Sequence, residues 1–136
     1  MKAGEQSAPA AELQDSASRR ISIVDDDASI REALMSLMRS VRYRVDAFAS
    51  AEDFLAAERH DDIACLILDV YLPGMSGFEL QSQLNKERRG IPIIFITAHA
   101  DEVSRQRALK GGATELLSKP VRREALFKAI QSAIQG

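Results

Sequence analysis

Cysteine is all but missing: Cys65 stands alone in 136 residues, so no disulfide closes within the chain. No His/Cys spacing suits zinc either. An excess of one charge is also lacking. Lys and Arg number 18 against 20 Asp and Glu, a formal net charge of -2. The basic residues gather only as the pairs Arg19-Arg20, Arg88-Arg89 and Arg122-Arg123, which is no footprint for nucleic acid. No apolar run approaches a membrane span, and the N-terminus has no apolar signal-peptide core, so the cytoplasm is the expected location. There is no internal repeat and no sign of a second or DNA-binding domain. What is present is an ordinary globular composition, 46% hydrophobic and 28% charged, long enough for one domain with a proper core. Residues 1–18, rich in Ala, Ser, Gln and Glu, read as a flexible tail ahead of a domain over 19–136.

The most informative stretch is Cys65-Leu-Ile-Leu-Asp-Val-Tyr-Leu-Pro-Gly-Met-Ser-Gly77. An apolar run from Ile63 to Leu68 ends at Asp69, and Pro73, Gly74 and Gly77 follow at once. Such a run predicts a strand buried on both faces, with Asp69 at its carboxyl end. Cys65 within it reads as a small core hydrophobe. Around it, strands are predicted over 21–24, 43–48, 93–97 and 115–118. Helices are predicted over 29–40, from a Ser50 cap to about 58, over 77–86 and closed by Gly90, over 102–110 and stopped by Gly111-Gly112, and over 122–134. Five strands alternating with five helices argue a (βα)5 α/β fold, a doubly wound parallel sheet.

In a parallel sheet all carboxyl ends share one edge, where ligands bind. Asp25-Asp26, Asp69, Thr97 and Lys119 follow the first, third, fourth and fifth strands, so they converge. An Asp after a strand is most often a turn former or helix cap, and Asp27 reads as the cap of the first helix. Four chemically complementary features at one edge are hard to explain that way. Three carboxylates together repel one another unless a cation or a proton intervenes. An all-oxygen cluster of few ligands suits Mg²⁺. Asp69 is then the expected nucleophile for a phosphoryl group, with Lys119 and Thr97 supplying a positive charge and a hydrogen bond to its oxygens.

Val24-Asp-Asp-Asp27, Leu68-Asp-Val-Tyr-Leu-Pro-Gly-Met-Ser-Gly77, Ile96-Thr-Ala-His-Ala-Asp101 and Gly112-Ala-Thr-Glu-Leu-Leu-Ser-Lys-Pro120 resemble the motifs of response regulator receiver domains of two-component systems. The branch containing the nitrogen-fixation and nodulation regulators looks most similar. The resemblance implies a flavodoxin-like strand order 2-1-3-4-5, Asp69 as phosphoacceptor, Thr97 as switch hydroxyl and Lys119 as the phosphate-pairing lysine. It implies metal ligation by Asp26 and Asp69, with Asp25 acting through water and Tyr71 through its backbone carbonyl. It further implies a cis Lys119-Pro120 bond, a sensor histidine kinase as donor, an output domain or downstream protein as target, and homodimerisation on phosphorylation. The chain is then no enzyme beyond promoting its own phosphorylation and dephosphorylation.

Two positions depart from the family pattern. Leu116 stands where receivers usually carry a switch Tyr or Phe, and Val121 where this branch often has an aromatic. His99 reads either as an exposed loop histidine or as a rim residue tuning access of water to the acyl phosphate, Tyr71 either as an ordinary loop residue or as a gate to the same access, and His60 as a surface loop residue. The helix over 102–110, poor in apolar residues, reads as loosely held. Haloacid-dehalogenase-like phosphatases need a second Asp two residues after the nucleophile; that position is Tyr71. The alternative of a phosphorylation-independent docking module predicts a lost acid or lysine, and none is missing.

Overall fold

Ile and Leu at alternate positions give two cores from one sheet. In the computed structural model, which describes residues 19–57 and 62–135, Cys65, Ile67, Ile94 and Ile96 face one way, and Leu66, Leu68, Ile93 and Phe95 the other. The first set packs with Leu34, Met38, Leu126 and Ile130; the second packs with Phe54, Phe78, Leu80 and Leu84. Burial on both faces is what erased the polar alternation from these strands in the sequence. The elements run β1 (Arg20–Val24), α1 (Ala28–Ser40), β2 (Arg44–Phe48), α2 (Ala51–Ala56), β3 (Ile63–Asp69), α3 (Gly77–Lys86), β4 (Ile93–Thr97), α4 (Glu102–Lys110), β5 (Glu115–Ser118) and α5 (Arg123–Gln135). The sheet is parallel throughout, in the order β2-β1-β3-β4-β5, as the sequence leads one to expect.

Helix starts follow capping chemistry. Asp27 Oδ1 accepts from the N–H groups of Ser29 and Ile30, Ser50 from Asp53, and Asp101 from Ser104; Ser76 and Glu79 form a reciprocal capping box. Helix ends correct the sequence reading in three places. Gly90 does not close α3. Arg88 takes the left-handed position at φ 55, and the Arg89 N–H bonds back to the Leu84 carbonyl at 3.1 Å. Arg42, at φ 72, does the same for α1, so Tyr43 is spent on a 3.1 Å bond to the Met38 carbonyl and β2 starts one residue later than expected. The second helix also stops short, at Ala56, with Ala57 as an extended cap. The expected tail over 1–18, residue 58 and His60 lie outside the described residues. Among the described residues no helix is long and apolar enough to cross a membrane.

One glycine fixes the site's geometry. The Gly77 N–H donates to the Val70 carbonyl at 2.9 Å, and a Cβ on Gly77 would sit 2.3 Å from the Asp69 carbonyl oxygen. Only a residue without a side chain lets α3 begin this close to the end of β3.

Candidate functional site

The strand register brings the four polar features to one edge. Val24 pairs with Leu68, Asp69 with Ile96 and Thr97 with Ser118, so the residue after β1, the last residues of β3 and β4, and Lys119 are neighbours. The Lys119 N–H bonds the Thr97 carbonyl at 2.8 Å, and the Lys119-Pro120 peptide is cis.

Lys119 Nζ lies 2.9 Å from Asp69 Oδ2 and 2.9 Å from Asp25 Oδ2. It donates an aligned hydrogen bond to Asp69, whereas Asp25 Oδ2, fully buried, has the ion pair but no aligned donor. The other oxygens are held by backbone: Asp69 Oδ1 accepts from the Tyr71 N–H at 3.1 Å and Asp25 Oδ1 from the Asp27 N–H at 2.9 Å. Asp26 is exposed and its carboxylate makes no hydrogen bond among the described residues. One oxygen from each of Asp25, Asp26 and Asp69 lies within 4.8 Å of the others.

This crowding shows in the proton affinities. Burial raises the pKa of Asp69, and repulsion from Asp25 adds to it, against the opposing pull of Lys119 and the Tyr71 N–H. Burial works against the charge on Lys119, but its close pairing with the Asp25 and Asp69 carboxylates outweighs it and lifts its pKa. Three carboxylates and one ammonium leave an excess of two negative charges, and the donors are all oxygen. That donor set fits a hard divalent cation such as Mg²⁺.

Thr97 is buried, and its Oγ1 accepts from the His99 N–H at 3.1 Å rather than touching the acids. Tyr71 reaches the site through its backbone N–H, while its ring is exposed and meets His99 edge-to-face, centroids 6.0 Å apart. Leu116 is buried opposite Phe95, which packs on Phe78 at 5.0 Å between centroids. Cys65 is sealed in the core, its thiol pushed up to about 12.

Sequence reasoning missed several supports. Glu52 on α2 accepts from the Met75 N–H at 2.8 Å, which lowers its pKa and clamps the loop after Asp69. The Arg31 guanidinium donates to the Asp25 carbonyl at 2.7 Å. Gln81, buried in α3, donates to the Ala108 carbonyl at 3.0 Å; Asn85 donates to the Gly111 carbonyl at 2.8 Å; and the Arg107 guanidinium sits 4.4 Å over the Phe78 ring. An apolar groove of about 460 Å³, lined by Ile30, Ala33, Leu34, Pro120 and Val121, opens beside Lys119.

Residues 21–131 match the family model of the response regulator receiver domain. Nodulation protein W of Bradyrhizobium diazoefficiens is 46% identical over 113 residues, 83% of this chain and 50% of that protein. Response regulator protein TodT of Pseudomonas putida is 44% identical over 115 residues, 85% of this chain and 51% of that protein. The chain thus spans about half the length of the curated relatives it matches. Among solved structures, the response regulator StyR superposes with a TM-score of 0.80 at 47% identity, covering 88% of this chain and 60% of that one. A receiver protein from Pseudoalteromonas atlantica gives 0.79 at 29% identity, covering 86% and 98%.

Proposed function

The chain belongs to the response regulator receiver domains, and on that premise we propose that Asp69 accepts a phosphoryl group from the phosphohistidine of a sensor histidine kinase in the cytoplasm. An Asp69 carboxylate oxygen forms the new O–P bond while the P–N bond to the donor breaks. The electron pair leaves on the imidazole, which takes up a proton. Asp26 and Asp69 would hold Mg²⁺ together with the Tyr71 carbonyl, and Asp25 would contribute its charge through water. When bound, the ion supplies charge neutralisation between the two approaching anions.

Lys119, already 2.9 Å from Asp69, meets the phosphoryl oxygens with positive charge, and the Thr97 hydroxyl gives them a hydrogen bond. The Tyr71–His99 pair at the rim governs access of water to the acyl phosphate. The apolar groove beside Lys119 offers the donor protein a surface next to the nucleophile. Phosphorylation then alters the face formed by α4 and β5, which acts on an output domain, a downstream protein or a second copy.

The observation that carries this reading is the lysine bridging two carboxylates at 2.9 Å each, with a third carboxylate within 4.8 Å. The test is an intact-mass spectrum after incubation with acetyl phosphate. A single phosphoryl adduct is expected that needs both Mg²⁺ and Asp69. An adduct of equal yield on Asp69→Asn refutes the nucleophile, and one of equal yield in chelator refutes the metal.

A further inference from the structure

The acidic turn between β1 and α1 is held more tightly than a cap requires. The Asp25 N–H continues the sheet to the Phe48 carbonyl at 3.1 Å. The Asp27 N–H closes onto Asp25 Oδ1 at 2.9 Å, and Asp27 Oδ1 caps α1 from 2.8 Å. The shortest of these anchors comes from outside the turn: Arg31, on the first turn of α1, donates from its guanidinium to the Asp25 carbonyl at 2.7 Å. Like the two bonds onto carboxylates it is charge-assisted, and so stronger than the neutral Asp25–Phe48 backbone bond.

These anchors bracket Asp26. The peptide before it is held by Arg31 through the Asp25 carbonyl, and the peptide after it by the Asp27 N–H on Asp25 Oδ1. Asp26 itself is exposed and its carboxylate makes no hydrogen bond among the described residues, so only its backbone aims it. A carboxylate aimed in advance binds a cation without losing the freedom it would otherwise give up on binding. Arg31 also puts a positive charge at a turn that carries three consecutive carboxylates.

We propose that Arg31 is a positioning residue for the divalent-cation site. By holding the 25–26 peptide it sets the Asp26 carboxylate within reach of Asp69, and it does so without touching ion or phosphate. The inference rests on the proposed Mg²⁺ role of the acids.

The test is a Mg²⁺ titration, followed by amide chemical shifts, of the wild type and of Arg31→Met, Arg31→Lys and Asp26→Asn, with urea unfolding of each in chelator. Arg31→Met keeps the aliphatic stem and should weaken Mg²⁺ binding roughly tenfold, as loss of a group orienting a metal ligand typically does. Arg31→Lys keeps the charge and a donor for the single bond that the Arg31 side chain makes to this carbonyl, and should stay within about threefold of wild type. A merely structural arginine would shift the urea midpoint and leave Mg²⁺ affinity alone. Folded Arg31→Met with affinity within about twofold of wild type, beside a weakened Asp26→Asn, overturns the positioning role and leaves the site reading standing. A wild type that binds no Mg²⁺ overturns both.

Discussion

Lys119 carries the sharpest prediction, because replacing it with Met keeps the stem and removes only the charge between two carboxylates. At 2.9 Å and an effective dielectric of about 20, each of its two ion pairs has a Coulomb energy of about 6 kcal/mol before desolvation. Desolvation offsets most of that in the intact protein, but deleting one partner of a buried pair strands the others at a net cost of about 3–5 kcal/mol. The Lys119 side chain keeps 17% exposure, which admits water to the gap and places the expected loss near the lower end, about 3 kcal/mol. Urea unfolding near neutral pH without divalent ion measures it.

The pH dependence separates charge from packing. Asp69 already has a raised pKa through burial and Asp25, and loss of Lys119 raises it further. A carboxyl group whose folded pKa lies above its unfolded value takes up a proton on folding. It therefore costs stability above the folded pKa, and the cost disappears as the pH falls toward the unfolded value. The deficit of Lys119→Met should thus be full near neutrality and shrink in acid. Mg²⁺ should shrink it too, by neutralising the same carboxylates. A variant as stable as wild type, or a deficit equal at neutral and acid pH, refutes the reasoning.

Gly77→Ala should lose about 1–3 kcal/mol of stability in urea unfolding, because its Cβ meets the Asp69 carbonyl oxygen at 2.3 Å; unchanged stability would mean that α3 shifts freely away from β3. Thr97→Ala should retain the Mg²⁺-dependent phosphoryl adduct in the mass spectrum yet lose the amide shift changes that phosphorylation causes in α4. Wild-type shifts in α4 on the phosphorylated variant would remove Thr97 as the switch.

Much of this site was legible because its logic is topological. β3 and β4 are apolar end to end since both faces are buried, and each ends at a polar residue, Asp69 or Thr97. Once the strands are parallel, every carboxyl end lies on one edge, so residues 25, 26, 69, 97 and 119 must meet. The supports were not legible for the complementary reason. Gln81 stands in an amphipathic helix as any surface glutamine would, and its burial against α4 follows only from how the two helices pack. Glu52 reaches Met75 across 23 residues with no local pattern to announce it. Arg31 reads as one more charge on the solvent side of α1. The end of α3 misled because Gly90 is the natural left-handed residue, whereas the chain puts Arg88 there and accepts the modest steric cost.

Leu116 makes the path out of the site a matter of physical accounting. With no aromatic ring at this position of β5, a movement of Thr97 has no hydroxyphenyl or phenyl group to draw inward, and the space beside Phe95 is already filled by leucine. Among the described residues the Thr97 hydroxyl has a single hydrogen-bond partner, the His99 N–H at 3.1 Å. His99 stands two residues before Asp101, whose carboxylate caps α4 through the Ser104 N–H at 2.8 Å. A Thr97 hydroxyl turned toward a phosphoryl group gives up the His99 N–H and loosens the loop at its first residues, while Asp101 ties the other end of that loop to the helix. α4 is suited to respond: only Ser104 and Ala108 are buried in it, and Val103 is 78% exposed. Its anchors to α3, the Gln81 and Asn85 hydrogen bonds and the Arg107–Phe78 stack, lie at its carboxyl end. On the proposed function, the path from Thr97 to α4 runs through the His99–Asp101 loop, against a helix tied to α3 at its carboxyl end and to β5 by the Arg105–Glu115 ion pair at 2.8 Å, so the hydroxyl rather than a ring would carry the switch.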